Sequence, residues 1–158
     1  MAVGRGCAVS LYMETTQISA EKTASELSLL LVQSGARQIA QEYTDKKVTG
    51  LRWVLAVGGT DQVFAMPVRS EPVFRLLQLN RAPSNREKKK AEDRAQAERV
   101  AWRQLLRWTQ AQLALIETGM VAAEEVFLPY RITPSGQTLY QVIQVNGLKL
   151  LGPAGGAA

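Results

Sequence analysis

The sequence predicts an α+β domain in which a three-stranded antiparallel meander packs against helices. Residues 48–57 alternate apolar and polar side chains along one strand, and turn-forming segments separate them from further strands at 37–43 and 63–68. Residues 84–118 read as one long helix, because neither Gly nor Pro interrupts them. Since such a meander offers one face to helices and the other to solvent, we expect helices to cover the face that carries Leu51, Trp53 and Leu55.

The other elements are predicted in chain order. Helices are expected at 19–35, with Ser19 as N-cap, and at 70–79, with Ser70 as N-cap. Weak alternation at 10–18 is interpreted as a short strand, and a small C-terminal hairpin is predicted from 131–133 and 138–143 around the turn at 134–136. Residues 1–10 are expected to form a flexible leader, 11–146 a single domain and 147–158 a flexible tail.

The predicted long helix has recognisable ends and two different halves. Ser84 and Glu87 fit a capping box at its start, and Gly119 suits the left-handed residue that ends a helix. The window 86–107 holds eight Lys or Arg against four Asp or Glu, and therefore supplies +4 of the chain's net charge of +5. The second half, residues 108–116, is mostly apolar.

Basic side chains of this helix are candidates for contacting a polyanion. At about 100° per residue, residues 99, 103 and 107 form one arginine stripe opposite the apolar arc, without an acidic residue three or four positions away. Their counter-charges must come from elsewhere in the chain, from solvent ions or from a partner. The lysine run 88–90 lies near the helix N-terminus, where cations oppose the helix dipole, so solubility or attraction of a polyanion explains it better than stability does. The predicted nucleic-acid contacts are Arg99, Arg103, Arg107, Lys88, Lys89, Lys90 and, on the open face of the sheet, Arg52.

The composition argues against most catalytic and metal chemistry. The chain has no His and one Cys, Cys7. It therefore lacks the residues that catalytic Ser–His and Cys–His nucleophile pairs and zinc sites require. Carboxylates could still bind Mg²⁺, but the candidates Glu42, Asp61 and Glu71 are better explained as turn and cap residues. We therefore expect a protein that is not an enzyme, with no catalytic residues, no metal and no cofactor.

The sequence also bears on location. No apolar run approaches the ~20 residues that cross a bilayer, and the N-terminus lacks the apolar segment of a signal peptide. A single cysteine suits a reducing compartment. The expectation is a cytoplasmic protein that does not engage a membrane.

The three tryptophans, Trp53, Trp102 and Trp108, could stack on bases. All three fall on apolar faces of their predicted elements. Packing in the core is therefore the favoured role.

Five short segments carry a resemblance to known sequences: 12–16 (YMETT), 20–23 (AEKT), 97–103 (AERVAWR), 111–117 (AQLALIE) and 124–130 (EEVFLPY). Together they resemble a family of small, functionally uncharacterised proteins carried by phages, prophages and mobile elements. The likeness spans about residues 12–140 and is most specific in the long helix. The resemblance implies a mobile-element protein acting inside the host cell, where small basic proteins serve DNA replication, recombination or counter-defence. The resemblance implies no catalytic residues for this chain.

Two functional hypotheses remain. The first is a nucleic-acid-binding protein, for DNA in particular, that acts in recombination or replication; by element order it is loosely similar to phage single-strand annealing proteins and to double-stranded-RNA-binding domains. The second is a protein-interaction module, such as an inhibitor of a host or defence factor. There the arginines would meet an acidic protein surface, and the apolar half of the long helix would pack on a partner or a second copy.

Overall fold

The computed structural model describes residues 10–147. The strands are β1 (Gln38–Thr44), β2 (Lys47–Val57) and β3 (Thr60–Pro67). The helices are α1 (Ala20–Gln33), α2 (Glu71–Asn80), α3 (Pro83–Arg86), α4 (Lys90–Glu117), α5 (Ala123–Phe127) and α6 (Leu139–Asn146), with a 3₁₀ turn at Leu128–Tyr130. The predicted leader and tail lie outside the described residues, except for Ser10 and Gly147.

The strands form an antiparallel meander in the order β1-β2-β3, which confirms the predicted α+β class. Trp53 lies between Ile39 of β1 and Phe64 of β3. Because side chains alternate along a strand, Arg52 points to the opposite face, where it is exposed. The helices cover the Trp53 face, as the sequence predicts.

Helix α4 is the central element of the helical layer, because α1 packs against one side of it and α2 against the other. Arg103 of α4 lies beside Thr23 of α1, and further along both helices Gln110 and Leu30 line the same cleft. The two helices therefore run in the same direction. As a result, the middle of α4 is covered on several sides, and it does not have one buried face and one solvent-exposed face.

The predicted long helix is wrong at its start and right at its end. The observed helix, α4, begins at Lys90 rather than at residue 84, because the chain first makes a separate short helix, α3, and then turns at residues 87–89. The expected Ser84 capping box is absent, since the N-cap of α3 is Ala82 and Pro83 takes the first helical position. At the other end Gly119 has φ 74°, Met120 N–H donates to Leu115 O and Gly119 N–H donates to Ile116 O. These two bonds form a Schellman motif.

The predicted C-terminal hairpin is confirmed around its turn and wrong in its second strand. A single bridge joins Ile132 to Thr138, and the chain then enters α6. Thr138 and Gln141 form a capping box, in which Gln141 N–H donates to Thr138 Oγ1 (3.2 Å) and Thr138 N–H to Gln141 Oε1 (2.8 Å). This Thr-x-x-Gln pattern favours a helix over the expected second strand.

Two smaller predictions near the N-terminus have different outcomes. Ser19 is confirmed as the N-cap of α1, since its hydroxyl accepts from Lys22 N–H (3.2 Å). Residues 10–18 form turns rather than a strand. Gln96 and Gln104 of α4 donate to backbone carbonyls of this segment, at Glu14 (2.6 Å) and Tyr12 (2.8 Å), and so attach it to the helix.

Aromatic side chains fill the centre between sheet and helices. The ring of Trp53 stacks on Phe64, and Phe127 of α5 meets Trp53 edge-on, with centroids 5.5 Å apart in both pairs. Trp102 is buried, and its Nε1–H donates to the Val48 carbonyl (3.3 Å). The predicted core role of these two tryptophans is confirmed.

Trp108 is half-buried at the edge of this core, with Phe127 and Tyr130 packed edge-on against its ring. It too packs in the interior rather than standing free for a base. Among the helices of residues 10–147, none combines the length and the apolar character needed to cross a membrane.

Candidate nucleic-acid interface

The arginine stripe of α4 does not form one solvent-exposed surface. Arg103, its middle member, is buried between α4 and α1, and its Nη1 donates to the Glu26 carboxylate and to Thr23 Oγ1 (3.5 Å). Its Nε is also buried and finds no acceptor among the described residues. Arg103 is thus committed to the contact between the two helices.

The expectation that Arg103 faces solvent is therefore wrong. Helical phase placed it opposite the apolar arc correctly, but α1 covers that side of α4. The counter-charge of Arg103 is Glu26, so it comes from elsewhere in the chain rather than from solvent ions or a partner. A periodicity argument finds one buried face and cannot detect a second helix on the other.

The other two arginines of the stripe differ from Arg103 in exposure. Arg99 is half-buried, and its guanidinium donates to Gln96 Oε1 (2.9 Å from Nε). Arg107 is exposed and donates to Gln110 Oε1 (3.0 Å). Arg107 can therefore reach an external anion, whereas Arg99 belongs to a network that holds the N-terminal segment.

The structural role of Arg103 has a measurable consequence. Arg103→Gln should lower the free energy of unfolding by about 1–2 kcal/mol, because it removes charge-assisted hydrogen bonds from a buried position. Arg107→Gln makes the same chemical change one turn further along α4, at an exposed site, and should leave stability close to wild type. Urea denaturation followed by far-UV circular dichroism measures both. Equal effects of the two substitutions would contradict this assignment.

The lysine run occupies an exposed turn at the start of α4. Lys89 pairs with Glu92 (2.7 Å) and Lys90 with Glu87 (3.1 Å), while Lys88 makes no ion pair within residues 10–147. The partners of Lys89 and Lys90 are themselves exposed, and such pairs contribute little to stability. All three ammonium groups are therefore accessible to an external anion.

Two arginines that the sequence analysis did not select lie on the neighbouring helices. Arg75 of α2 and Arg94 of α4 share the carboxylate of Glu71 (3.5 and 3.3 Å). The guanidinium of Arg94 also lies over the ring of Phe74, 4.1 Å from its centroid. We call the exposed cations Arg75, Lys88, Lys89, Lys90 and Arg94 the basic tip. Residues 71–94 hold seven Lys or Arg against four Asp or Glu, a net charge of +3.

A buried acid anchors the turn that carries the basic tip. Asp93, which is 2% exposed, accepts a two-pronged contact from Arg81 (2.7–3.0 Å) and a hydrogen bond from Gln78 Nε2 (2.7 Å). Arg86 Nε donates to the carbonyls of Gln78 (3.0 Å) and Arg81 (3.3 Å). The hydrogen bonds from Arg81 hold the pKa of Asp93 below its usual value. These contacts tie the end of α2, helix α3 and the start of α4 together.

The sequence itself contains a signal for this anchor. Asp93 lies at i−4 and i−7 from Ala97 and Val100, which are fully buried, so it falls on the apolar side of the helix. A carboxylate on a buried face needs a cationic partner. The partner Arg81 lies twelve positions away in the sequence, beyond the reach of any helical spacing rule.

Arg52 and the three acids considered for metal binding form separate surface pairs. Arg52 binds Glu42 (3.0 Å) on the open face of the sheet, Arg37 binds Asp61 (2.8 Å), and Glu71 belongs to the arginine cluster above. Within residues 10–147 no three His, Cys, Asp or Glu side chains come together in an arrangement that could hold a metal ion. Arg52 lies apart from the basic tip, because β2 presents it on the face opposite the helices.

An open cleft of about 660 Å³ lies between the C-terminal halves of α1 and α4. Trp53 and Leu55 form its floor, and the half-buried Leu30, Leu113 and Ile116 form its walls. None of the described residues that line it is Lys or Arg. The apolar half of α4 thus packs mainly against other parts of the domain, and only a small part of its surface is accessible, in this cleft.

Comparison of the chain with protein-family models, with curated proteins and with solved structures gave no match.

Proposed function

We propose that this protein binds nucleic acid, with DNA as the preferred ligand, and that it contacts the phosphate backbone through the basic tip. The observation that carries the proposal is the lysine run 88–90, exposed on a turn that a buried ion pair anchors. Lys and Arg that neutralise phosphates release counterions, and this release supplies most of the affinity of contacts that do not read sequence. The proposed role is non-enzymatic, in recombination or replication, and rests in part on the resemblance to mobile-element proteins.

The geometry of the tip supports an external anionic partner. Cations at the start of a helix oppose its dipole, and the run adds three of them without burying apolar surface. The internal partners Glu87 and Glu92 are exposed and close in sequence, so a phosphate group can replace them at little cost. Arg107 and Arg52 lie outside the tip and are auxiliary contacts in this proposal, while Arg103 is not a contact.

The salt dependence of binding tests the proposal. Lys88→Gln/Lys89→Gln/Lys90→Gln should lower the magnitude of the slope of log K against log salt by about two to three units, since each phosphate contact contributes about −0.9 on duplex DNA and about −0.7 on single strands. The loss should be similar for unrelated oligonucleotides, because phosphate contacts position a protein without reading bases. Fluorescence anisotropy over a salt series, with protein freed of nucleic acid by nuclease and high salt, provides the measurement.

A charge-matched variant serves as the control. Lys22→Gln/Arg37→Gln/Arg131→Gln also removes three exposed cations, from α1, from the connection before β1 and from the segment after the 3₁₀ turn. Its slope should stay near that of wild type if the tip is the contact. Equal slopes for the two triple variants would show that only net charge matters and would reject the assigned site. Cleavage of the oligonucleotide with Mg²⁺, abolished by Asp61→Asn, would reject the non-enzymatic role.

The same experiment separates the two functional hypotheses. If the wild type binds no oligonucleotide even at low salt, the nucleic-acid proposal fails and an acidic protein surface becomes the partner that fits the basic tip. In that case the open cleft between α1 and α4, which Leu113 and Ile116 line, is an apolar surface available to a protein partner.

A further inference from the structure

Exposed apolar side chains gather along the free edge of the sheet. On α1, Leu29 and Val32 are 59% and 52% exposed, and on β1 Tyr43 is 59% exposed. Ile39 of β1 is half-buried beside them. We call these four residues the edge patch. Single exposed apolar side chains are ordinary, but several on adjacent elements form a patch of the kind that marks an interaction site.

Hydrogen bonds show that α1 and β1 contribute to one continuous surface. Tyr43 Oη donates to Gln41 Oε1 (2.8 Å), and Gln41 Nε2 donates to Ser28 Oγ on α1 (3.4 Å). Tyr43 and Gln41 therefore lie on the helix-covered face of β1, and Ile39 shares that face. Val32 lies one helical turn beyond Ser28, and Leu29 is three residues before Val32. Residues at these spacings are neighbours on the surface of a helix.

The strand beside this patch has an unpaired edge. Within residues 10–147, β1 pairs with β2 on one side and with no strand on the other. An edge strand presents backbone N–H and C=O groups that can pair with another strand. Such edges are usually protected by charge, by proline or by a covering element, whereas β1 has one acid, Glu42, and no Lys, Arg or Pro.

We propose that a second copy of this chain pairs with β1, antiparallel and with the two-fold axis at Gln41. This register sets Ile39 of each copy opposite Tyr43 of the other, on the face that also carries Leu29 and Val32. Cross-strand pairs of an aromatic with a β-branched residue are among the favourable ones. The α1 helices of the two copies then approach each other through Leu29 and Val32, and the two sheets become one of six strands.

Charge complementarity supports the same register. It brings Arg37 of each copy, just before β1, towards Asp45 of the other, which lies in the β1–β2 turn with φ 49°. Asp45 is exposed and makes no ion pair among the described residues. Arg37 uses Nη1 to bind Asp61, and a guanidinium with five N–H donors has others left for a second carboxylate.

The shape of the edge sets the strength of the association. Seven residues of strand extend over roughly 23 Å, and a β-bulge between Glu42 and Tyr43 interrupts the regular pairing. A contact of this length, with one helix from each copy, belongs to the smaller interfaces. We expect a dimer that dissociates on dilution.

Sedimentation velocity over a concentration series tests the dimer. Wild type should shift from monomer to dimer as concentration rises, and Leu29→Lys/Val32→Lys should remain monomeric at every concentration. The control is Leu79→Lys/Val145→Lys, which makes the same two substitutions at positions 67% and 76% exposed outside the edge patch. The control should dimerise like wild type. A monomeric wild type, or a patch variant that dimerises as strongly as the control, overturns the proposal.

Cysteine cross-linking tests the register and does not depend on disrupting the interface. In a Cys7→Ser background, Gln41→Cys should form a disulfide-linked dimer, because antiparallel partners have Cα atoms about 4.5–5.5 Å apart, within the range that a disulfide spans. Gln38→Cys and Thr44→Cys should each stay monomeric alone and cross-link when mixed. If Gln41→Cys does not cross-link, or if Gln38→Cys cross-links with itself, the proposed register is wrong.

Discussion

Trp53→Ala should lower the free energy of unfolding by about 3–5 kcal/mol. The side chain is 1% exposed and joins the sheet to α5 through its contacts with Phe64 and Phe127. Removing the indole leaves a cavity that the two remaining rings cannot fill without moving strands that are fixed by backbone pairing. Urea denaturation followed by far-UV circular dichroism gives the change directly.

Tyr43→Ala is the matched control for Trp53→Ala. It also removes a large aromatic side chain from the sheet, but at a position that is 59% exposed. Its effect should stay within about 0.5 kcal/mol in dilute protein, where the proposed dimer is dissociated. A comparable loss for the two substitutions would mean that the sheet is not packed as described.

Asp93→Asn should lower the free energy of unfolding by about 2–3 kcal/mol, because it breaks a buried ion pair. Breaking a buried ion pair generally costs about 3–5 kcal/mol, because one charge remains without its partner. Here Arg81 keeps 36% of its side chain exposed, so water can solvate it once Asp93 is neutral, and the loss should be smaller. The variant should also loosen the turn before α4, because Arg81 and Gln78 lose their charged acceptor.

The stability of the wild type should depend on pH through Asp93. Its folded pKa lies below the usual value for an aspartate, so the unfolded state binds the proton more readily. The contribution of Asp93 is then complete above the unfolded pKa of about 3.9, and is lost as pH falls through the folded pKa. The free energy of unfolding, measured by denaturation at several pH values, should therefore fall less steeply between neutral and acid pH for Asp93→Asn than for wild type.

Glu92→Gln provides the control for both Asp93 measurements. It makes the equivalent carboxylate-to-amide change at the adjacent residue, whose carboxylate is exposed and pairs with Lys89. Its stability at neutral pH should match that of wild type, because exposed pairs of this kind are weak. If Glu92→Gln and Asp93→Asn behave alike, the buried network does not anchor the turn.

Local sequence signals located most of the elements, and each failure has a local cause. The meander was found because alternation in β2 and the turns around it lie within a few residues of one another. Helix α6 is missed because the turn at 134–136 predicts a second strand after it, whereas the Thr-x-x-Gln capping box at 138–141 starts a helix. The start of the long helix is misplaced because Ser84 and Glu87 fit a capping box, whereas the chain makes the short helix α3 and a turn at 87–89 before α4 begins.

The candidate site was recovered only in part. The lysine run could be predicted because exposure of three consecutive cations follows from the cost of burying them. Arg75 and Arg94 were not selected, because they join the tip only when α2 folds back along α4. Arg103 was assigned to the wrong environment, because its exposure depends on α1, about 80 residues away in the sequence.

The sequence alone determined the class of fold, the strand faces, the N-cap at Ser19 and the helix end at Gly119. Each of these depends on residues within one or two turns, where spacing and backbone preference decide the outcome. Only the tertiary structure decided that Arg103 pairs with Glu26, that Asp93 anchors the basic tip and that the edge of β1 is free. Burial and charge pairing between distant elements depend on which faces meet, and hydrophobic periodicity fixes the faces without fixing the neighbours.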